Sequence, residues 1–330
     1  MSYQIKNTIK NKTLLNYIPH AINSNTYKPI SSSDPHLIEF KKKLFGGKEY
    51  DFVLLLNSRN INRKRISNAI LAYRQFCDNL TKEEAMRCLF VIHSELVLDS
   101  GTNNISVKEA LCPNYNIMFS PGKLSPIDMN NLYNCADITV CASSSEGFGL
   151  SIAESIMAGT PVSATVSGGL QDFANFRDEN NNPIEFNGDW GSNHDGKYKK
   201  CGRWFYPVFP ATRYIQGSPM KPYIMDSITD WSDIADSFMY WYMTPNKTRK
   251  QYGMEGRRFM MENFSDKVVG QKFIDSMEFV FKHWTKPKSF GVYSIKDYVG
   301  NTMTRGKLGF EIPKIDKEEI KRKIELNATL

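Results

Sequence analysis

Between positions 52 and 165 the sequence alternates short strand-like stretches with stretches of helical periodicity, and few folds accept that rhythm. Phe52-Val53-Leu54-Leu55-Leu56 and Cys88-Leu89-Phe90-Val91-Ile92 are apolar throughout, and 115–119, 137–141 and 161–165, with polar residues among the apolar ones, read as further strands. A strand covered on only one face alternates apolar with polar, so continuous runs of this length predict strands buried on both faces, as in a parallel sheet. Between them Ile66, Ala69, Ile70, Tyr73 and Phe76 recur at helical spacing, Pro126 opens a second helix through Met129, Leu132 and Tyr133, and a third follows to about Met157. Strand and helix in turn over this length predict a doubly wound α/β sheet, whose ligands lie beyond the carboxyl ends of the strands. The polar loops 57–65, 143–149 and 167–169 then share one rim. After Asp172 the rhythm breaks: 175–222 reads as an irregular insertion rich in Asn, Gly and Pro, and helices return at 231–243, 247–263 and 265–283. The tail, 286–330, is charged and predicts a helix at 317–326.

Composition narrows the function. A chain of 330 residues with 41% hydrophobic content supports a sizeable core. No apolar stretch approaches the roughly 20 residues of a membrane span, and the first residues lack the apolar centre of a secretory signal. The expectation is a cytoplasmic protein. The six cysteines form no Cys-x-x-Cys pair and the five histidines no metal-binding grouping, so no structural metal is expected. A net charge of +7 is spread among acidic residues; it suits solubility or an anionic ligand and gives no indication of nucleic acid. The basic stretch 317–323 reads as a solvated helix face before a membrane contact.

The chemistry concentrates in Ser145-Glu146-Gly147-Phe148-Gly149-Leu150, with Glu154 on the helix that the turn opens. A helix start aims unpaired N–H groups and a positive dipole end at an anion, and Gly147 and Gly149 let a ligand approach the backbone. A nucleotide sugar makes three demands: donors and cations for its diphosphate, a carboxylate for its ribose hydroxyls, and a polar group at its hexose. Glu154, about a turn and a half into the helix, suits the ribose, and Glu146 at the strand end the hexose. Alone, the turn is equally a strand-to-helix connection with an exposed acid.

Its neighbours, in order, resemble the donor-binding, C-terminal domain of retaining GT-B glycosyltransferases of the family-4, group 1 type. Ile18-Pro19-His20-Ala21-Ile22-Asn23, with Tyr27 and Pro29, is similar to the segment that crosses between that family's two domains. Ser58-Arg59 with Lys64 resembles its Gly-Arg…Lys diphosphate grip, and Arg63 stands in if Lys64 is out of register. Leu132-Tyr133-Asn-Cys-Ala136-Asp137 resembles the lead into the next strand, and Glu146 and Glu154 match the two acids of the E-x7-E signature. Ala158-Gly159-Thr160-Pro161, Gly168-Gly169, and Arg249…Gly253…Gly256-Arg257 continue the pattern. The sequence departs from it at Ala21 and Ser58, where the family has glycine, at Asn23, where it has aspartate, and in the length of the segment after Gly169.

The resemblance implies sugar transfer from a nucleoside-diphosphate sugar, a UDP- or GDP-sugar, with retention. Glu146, Arg59 and Lys64 would be catalytic, and Gly147, Phe148, Gly149, Leu150, Glu154, Ser58, Gly168 and Gly169 would bind the donor. No cofactor is implied, the nucleotide sugar being a substrate, and no metal, in keeping with a sequence that has no Asp-x-Asp. Residues 1–45 read as a remnant of the interdomain crossover, 46–285 as the Rossmann-like nucleotide-sugar domain. The expectation is that the acceptor half is missing and that a separate N-terminal-domain polypeptide or another copy of this chain supplies it, for an acceptor the sequence does not identify. A nucleotide-sugar-binding module without transfer activity and a sugar-nucleotide epimerase remain as alternatives; a phosphorylase is disfavoured, because no lysine presents itself for its pyridoxal cofactor. Trp190, Trp204, Phe205 and Tyr206 read as anchors of the irregular segment before sugar-stacking rings.

Overall fold

The computed structural model describes residues 17–184, 192–218 and 221–284. Two compact units divide the chain between Asp275 and Ser276. The sheet, the helices around it and the cleft described below belong to the first; of the second, 276–284 is described, in the last turns of the final helix. The tail helix expected at 317–326, and Trp190, lie outside the described residues.

Six strands form one parallel sheet: β1 (Phe52–Asn57), β2 (Cys88–His93), β3 (Ile117–Phe119), β4 (Ile138–Cys141), β5 (Val162–Thr165) and β6 (Phe205–Val208). Their order across the sheet is β3-β2-β1-β4-β5-β6. That order is the doubly wound one, and it reverses between β1 and β4. Connections leaving those two strands diverge to opposite faces, which opens a crevice beyond their carboxyl ends.

Strand periodicity explains how both faces are filled. Phe52, Leu54 and Leu56 of β1 join one core with Ile66, Ala69, Ile70, Tyr73 and Phe76 of α2 (Ile66–Asp78). Val53 and Leu55, pointing the other way, join a second core with Leu37 and Phe45 of α1 (Pro35–Phe45) and with Leu132 and Tyr133 of α5 (Pro126–Cys135). Short helices α3 (Lys82–Met86) and α4 (Asn104–Leu111) flank β2 in sequence. A third core gathers Ile152 and Ile156 of α6 (Leu150–Met157), Val162 and Ala164 of β5, Trp204 and Phe205, and Met260.

Helix α1 falls in the stretch read as interdomain crossover. Its signals are terminal: Asp34 caps the amides of His36 and Leu37, Pro35 occupies the first position, and Gly46 closes it in the left-handed region. The segment expected to be irregular holds more order than its composition indicates. β6 lies at the sheet edge, where Pro207 costs no ladder bond. An antiparallel hairpin, β7 (Thr212–Ser218) with β8 (Lys221–Ile228), follows it. Trp204 is buried with its ring stacked on Phe259 and its N–H on the Phe173 carbonyl, 2.9 Å away. It anchors the segment.

Helices α7 (Trp231–Met243), α8 (Asn246–Asn263) and α9 (Asp266–His283) complete the elements. No helix among the described residues is long and apolar enough to cross a membrane. α8 is pinned by Arg249, 5% exposed. Its guanidinium bonds Asp137 at 2.7 Å and the Trp241 carbonyl at 3.0 Å, while the other Asp137 oxygen accepts the Val53 amide at 2.9 Å. One buried ion pair thus joins α8, α7 and the start of β1. Removing one member strands the other charge, so Arg249→Met is expected to lose about 3–5 kcal/mol of unfolding free energy. Urea denaturation checks this, and a loss below about 1 kcal/mol contradicts it.

Candidate functional site

The crevice at the β1/β4 reversal holds a cleft of about 400 Å³ lined by His20, Asn57, Ser58, Lys64, Glu146, Phe148, Gly149, Leu150, Ser151 and Glu154. Each comes from a loop or helix start that the sheet order brings together: 57–65 after β1, 142–149 after β4, and the first turns of α6. His20, from the segment ahead of α1, sets its ring edge-on against Phe148, with centroids 5.1 Å apart.

Glu146 is the electrostatic centre. Its side chain is 7% exposed and pairs with Lys64, itself 13% exposed, and with Arg63 at 3.1 Å. Burial works to push the Glu146 carboxyl up. The Lys64 charge and hydrogen bond, the Ser143 side chain and the Arg63 charge outweigh it and hold the group below the usual carboxylate range. The pairs also join loops: Arg63 donates to the Ser145 carbonyl at 2.6 Å, and the Ser144 amide donates to the Arg63 carbonyl at 2.8 Å.

Helix α6 begins at the cleft. Gly149 precedes it at φ 94°, ψ 56°, a left-handed geometry open to glycine, and no side chain caps the first turn. The N–H groups of Leu150 and Ser151 therefore sit at the cleft wall with the positive end of the helix dipole. Further along, Glu154 is held by a tyrosine. Tyr133, wholly buried, donates its hydroxyl to Glu154 at 2.8 Å and accepts the Asn57 side-chain amide at 2.8 Å; an amide N–H can only donate, so the Tyr133 proton faces Glu154. Tyr27 lies beside the same carboxyl, its ring edge-on to that of Tyr133 with centroids 6.1 Å apart. Burial nevertheless dominates and raises the Glu154 carboxyl.

The residues singled out in the sequence separate into three groups. Ser58, Lys64, Glu146, Phe148, Gly149, Leu150 and Glu154 line the cleft. Gly147, Gly168 and Gly169 make its support: a Cβ on Gly168, at φ 52°, falls 2.1 Å from the Glu146 carbonyl oxygen, and one on Gly169 falls 2.4 Å from that of Gly147. The two glycines let the strand β5 loop press directly under the Glu146-Gly147 backbone. Arg59 stands apart, its side chain 73% exposed and 3.8 Å from Glu95. Arg63 takes the position beside Lys64. Spacing did not single out Tyr27, Asn57 or Tyr133 as functional; their part is set by contacts between distant segments. Among the described residues no group of His, Cys, Asp and Glu is arranged to hold a metal ion.

The Glu154 environment has a sign that can be tested. A buried carboxyl with a raised value holds its proton to higher pH than it does in the unfolded chain, where it titrates near 4.3. Native stability therefore falls as pH rises through the interval between the two values. Glu154→Gln keeps an acceptor for Tyr133 and removes this loss. The variant is expected to gain stability relative to the parent between pH 4 and pH 7 in urea denaturation; a difference that does not change with pH contradicts the assignment.

Residues 38–181 match the family model described as Glycosyl transferases group 1. No curated protein matches the sequence. Among solved structures, a glycosyltransferase from Rickettsia africae ESF-5 is similar at 17% identity and TM-score 0.55, over 81% of this chain and 57% of that one. Sucrose-phosphate synthase from Thermosynechococcus elongatus is similar at 18% identity and TM-score 0.53, over 81% of this chain and 53% of that one. Anabaena Alr3699/HepE, solved in complex with UDP-glucose, is similar at 14% identity and TM-score 0.52, over 78% of this chain and 56% of that one. At these identities the likeness is one of fold, and the chain spans little more than half the length of these structures. The family match runs from α1 to just beyond β5, and so takes in every cleft residue except His20.

Proposed function

We propose that the cleft binds a nucleoside-diphosphate sugar and that the protein takes part in sugar transfer. The observation that carries this reading is the convergence of Lys64 and Arg63 on the mouth of an uncapped helix, with a tyrosine-held carboxylate, Glu154, a turn and a half further in. The diphosphate lies against the N–H groups of Leu150 and Ser151, with Lys64 and Arg63 beside it. Both cations and the helix end stabilise the charge that grows on the leaving diphosphate, a task a metal ion performs in other transferases. The reading therefore needs no metal and no cofactor beyond the donor itself. Glu154 receives the ribose hydroxyls and Glu146 faces the sugar. The match to glycosyl transferases group 1 and the UDP-glucose held by a protein of similar fold support it.

Retention at the anomeric carbon is part of the proposal and rests on the resemblance of the Glu146 and Glu154 spacing. So is the division of labour: the described residues make one Rossmann-like sheet, which serves the donor, and acceptor-binding groups lie outside them. A cytoplasmic setting suits six cysteines that are all free.

Glu146 pairs with the cations that a diphosphate requires, and this gives the two acids opposite expected effects. Titration calorimetry with UDP, GDP and ADP is expected to show binding of at least one; no heat from folded protein with any of the three sinks the proposal. Glu154→Ala is expected to weaken that nucleotide about tenfold or more, the loss of hydrogen bonds to a charged group. Glu146→Gln frees Lys64 and Arg63 and is expected to bind the nucleoside diphosphate as well as or better than the parent while losing transfer activity. Equal loss of binding in both variants contradicts the assigned roles.

A further inference from the structure

The β7–β8 hairpin is fastened to both loops that make the cleft. Ser227, wholly buried in β8, donates its amide to the Ser144 carbonyl at 2.9 Å, and Ser144 is the residue bonded to Arg63. One position earlier, Asp226, 1% exposed, accepts the Tyr214 hydroxyl at 3.4 Å and the Gln216 side-chain amide. The Tyr214 hydroxyl in turn accepts Arg65 Nη2 at 2.8 Å. A guanidinium, a phenol and a carboxylate thus form one chain of donors and acceptors from the β1 loop into the hairpin.

Arg65 occupies the hinge of that loop. It closes the 3-10 turn Asn62–Lys64 and precedes α2, with φ 52° and ψ 39°, a left-handed geometry unfavourable for any residue with a Cβ. No side chain caps the start of α2; the Arg65 amide closes the turn on the Asn62 carbonyl at 3.2 Å, and the bond from the Arg65 guanidinium to the hairpin is the side-chain restraint added to it. Whatever fixes Arg65 fixes the direction in which its two predecessors, Arg63 and Lys64, meet Glu146. Asp226 Oδ1 and Arg65 Nε have no hydrogen-bond partner among the described residues. A buried carboxylate and a half-buried guanidinium, each with an unsatisfied buried atom, are an expensive way to attach a hairpin, since apolar side chains of the same volume do so at lower cost. What the polar chain adds is a fixed orientation for the turn.

We infer that Tyr214 and Asp226 are positioning residues that, through Arg65, hold the Arg63–Lys64 turn in the orientation that receives the diphosphate. The inference rests on the reading of the cleft as a nucleoside-diphosphate site. Tyr214→Phe, Arg65→Met and the double variant are titrated with the diphosphate and with the monophosphate of the nucleoside that the parent binds. Each single change is expected to weaken the diphosphate about fivefold, the worth of one hydrogen bond, and the monophosphate less than about twofold. The double variant is expected to fall within about twofold of the weaker single variant, because both changes break one chain. Unchanged diphosphate affinity in Tyr214→Phe, equal loss on both nucleotides, or losses that multiply to about 25-fold each overturn the inference. Tyr214→Phe removes one oxygen atom; if Arg65→Met does not fold by circular dichroism, Asp226→Asn replaces it in the cycle. A parent that binds none of the diphosphates fails at the earlier step, and that result sinks the cleft reading and this inference together.

Discussion

A carboxylate that is 7% exposed cannot stay charged without partners, and the partners Glu146 has are the two cations of a loop on a different strand. Around this cluster the rest of the cleft is organised. Lys64 and Arg63 come from the end of β1 and Glu146 from the end of β4, adjacent strands at the point where the sheet order reverses. The Arg63 side chain and carbonyl bond Ser145 and Ser144 as well, so charge and backbone hold the same two loops together. A diphosphate entering such a site exchanges one anion for another against cations already aimed and partly desolvated, which spares most of the cost of ordering them.

Support for that arrangement comes from below and from the side. Gly168 and Gly169 bring the β5 loop into backbone contact with Glu146 and Gly147, the Gly169 amide donating to the Glu146 carbonyl at 3.0 Å. Asn57, through Tyr133, orients Glu154 at the opposite end of the cleft. The hairpin closes the third side through Ser227 and Arg65. Every cleft wall is thus held by a segment remote from it in sequence.

That remoteness explains what was legible beforehand. The five strands from β1 to β5 were readable, β1 and β2 because a strand buried on both faces must be apolar throughout, as Phe52 to Leu56 is, and the other three from their place in the alternation with helices. β6 was not, because Pro207 interrupts a run only four residues long. Nor was the hairpin, whose polar residues Tyr214, Gln216 and Asp226 find their partners in one another and in Arg65. In the cleft, the Glu146 turn and Glu154 were singled out by helical geometry together with the resemblance carried by their neighbours. Arg59, by contrast, follows the spacing of the expected grip and lies beside Glu95, while Arg63 meets Glu146. A single left-handed residue, Arg65, turns the loop so, and positive φ at an arginine leaves no mark in a sequence.

A crystal structure of the protein with the nucleoside diphosphate it binds tests the central claim most directly. The account predicts the diphosphate against the N–H groups of Leu150 and Ser151, Lys64 within hydrogen-bond distance of a phosphate oxygen in place of Glu146, and the ribose hydroxyls on Glu154. A diphosphate bound elsewhere on the molecule, or a ribose turned away from Glu154 with the Lys64–Glu146 pair intact, contradicts it.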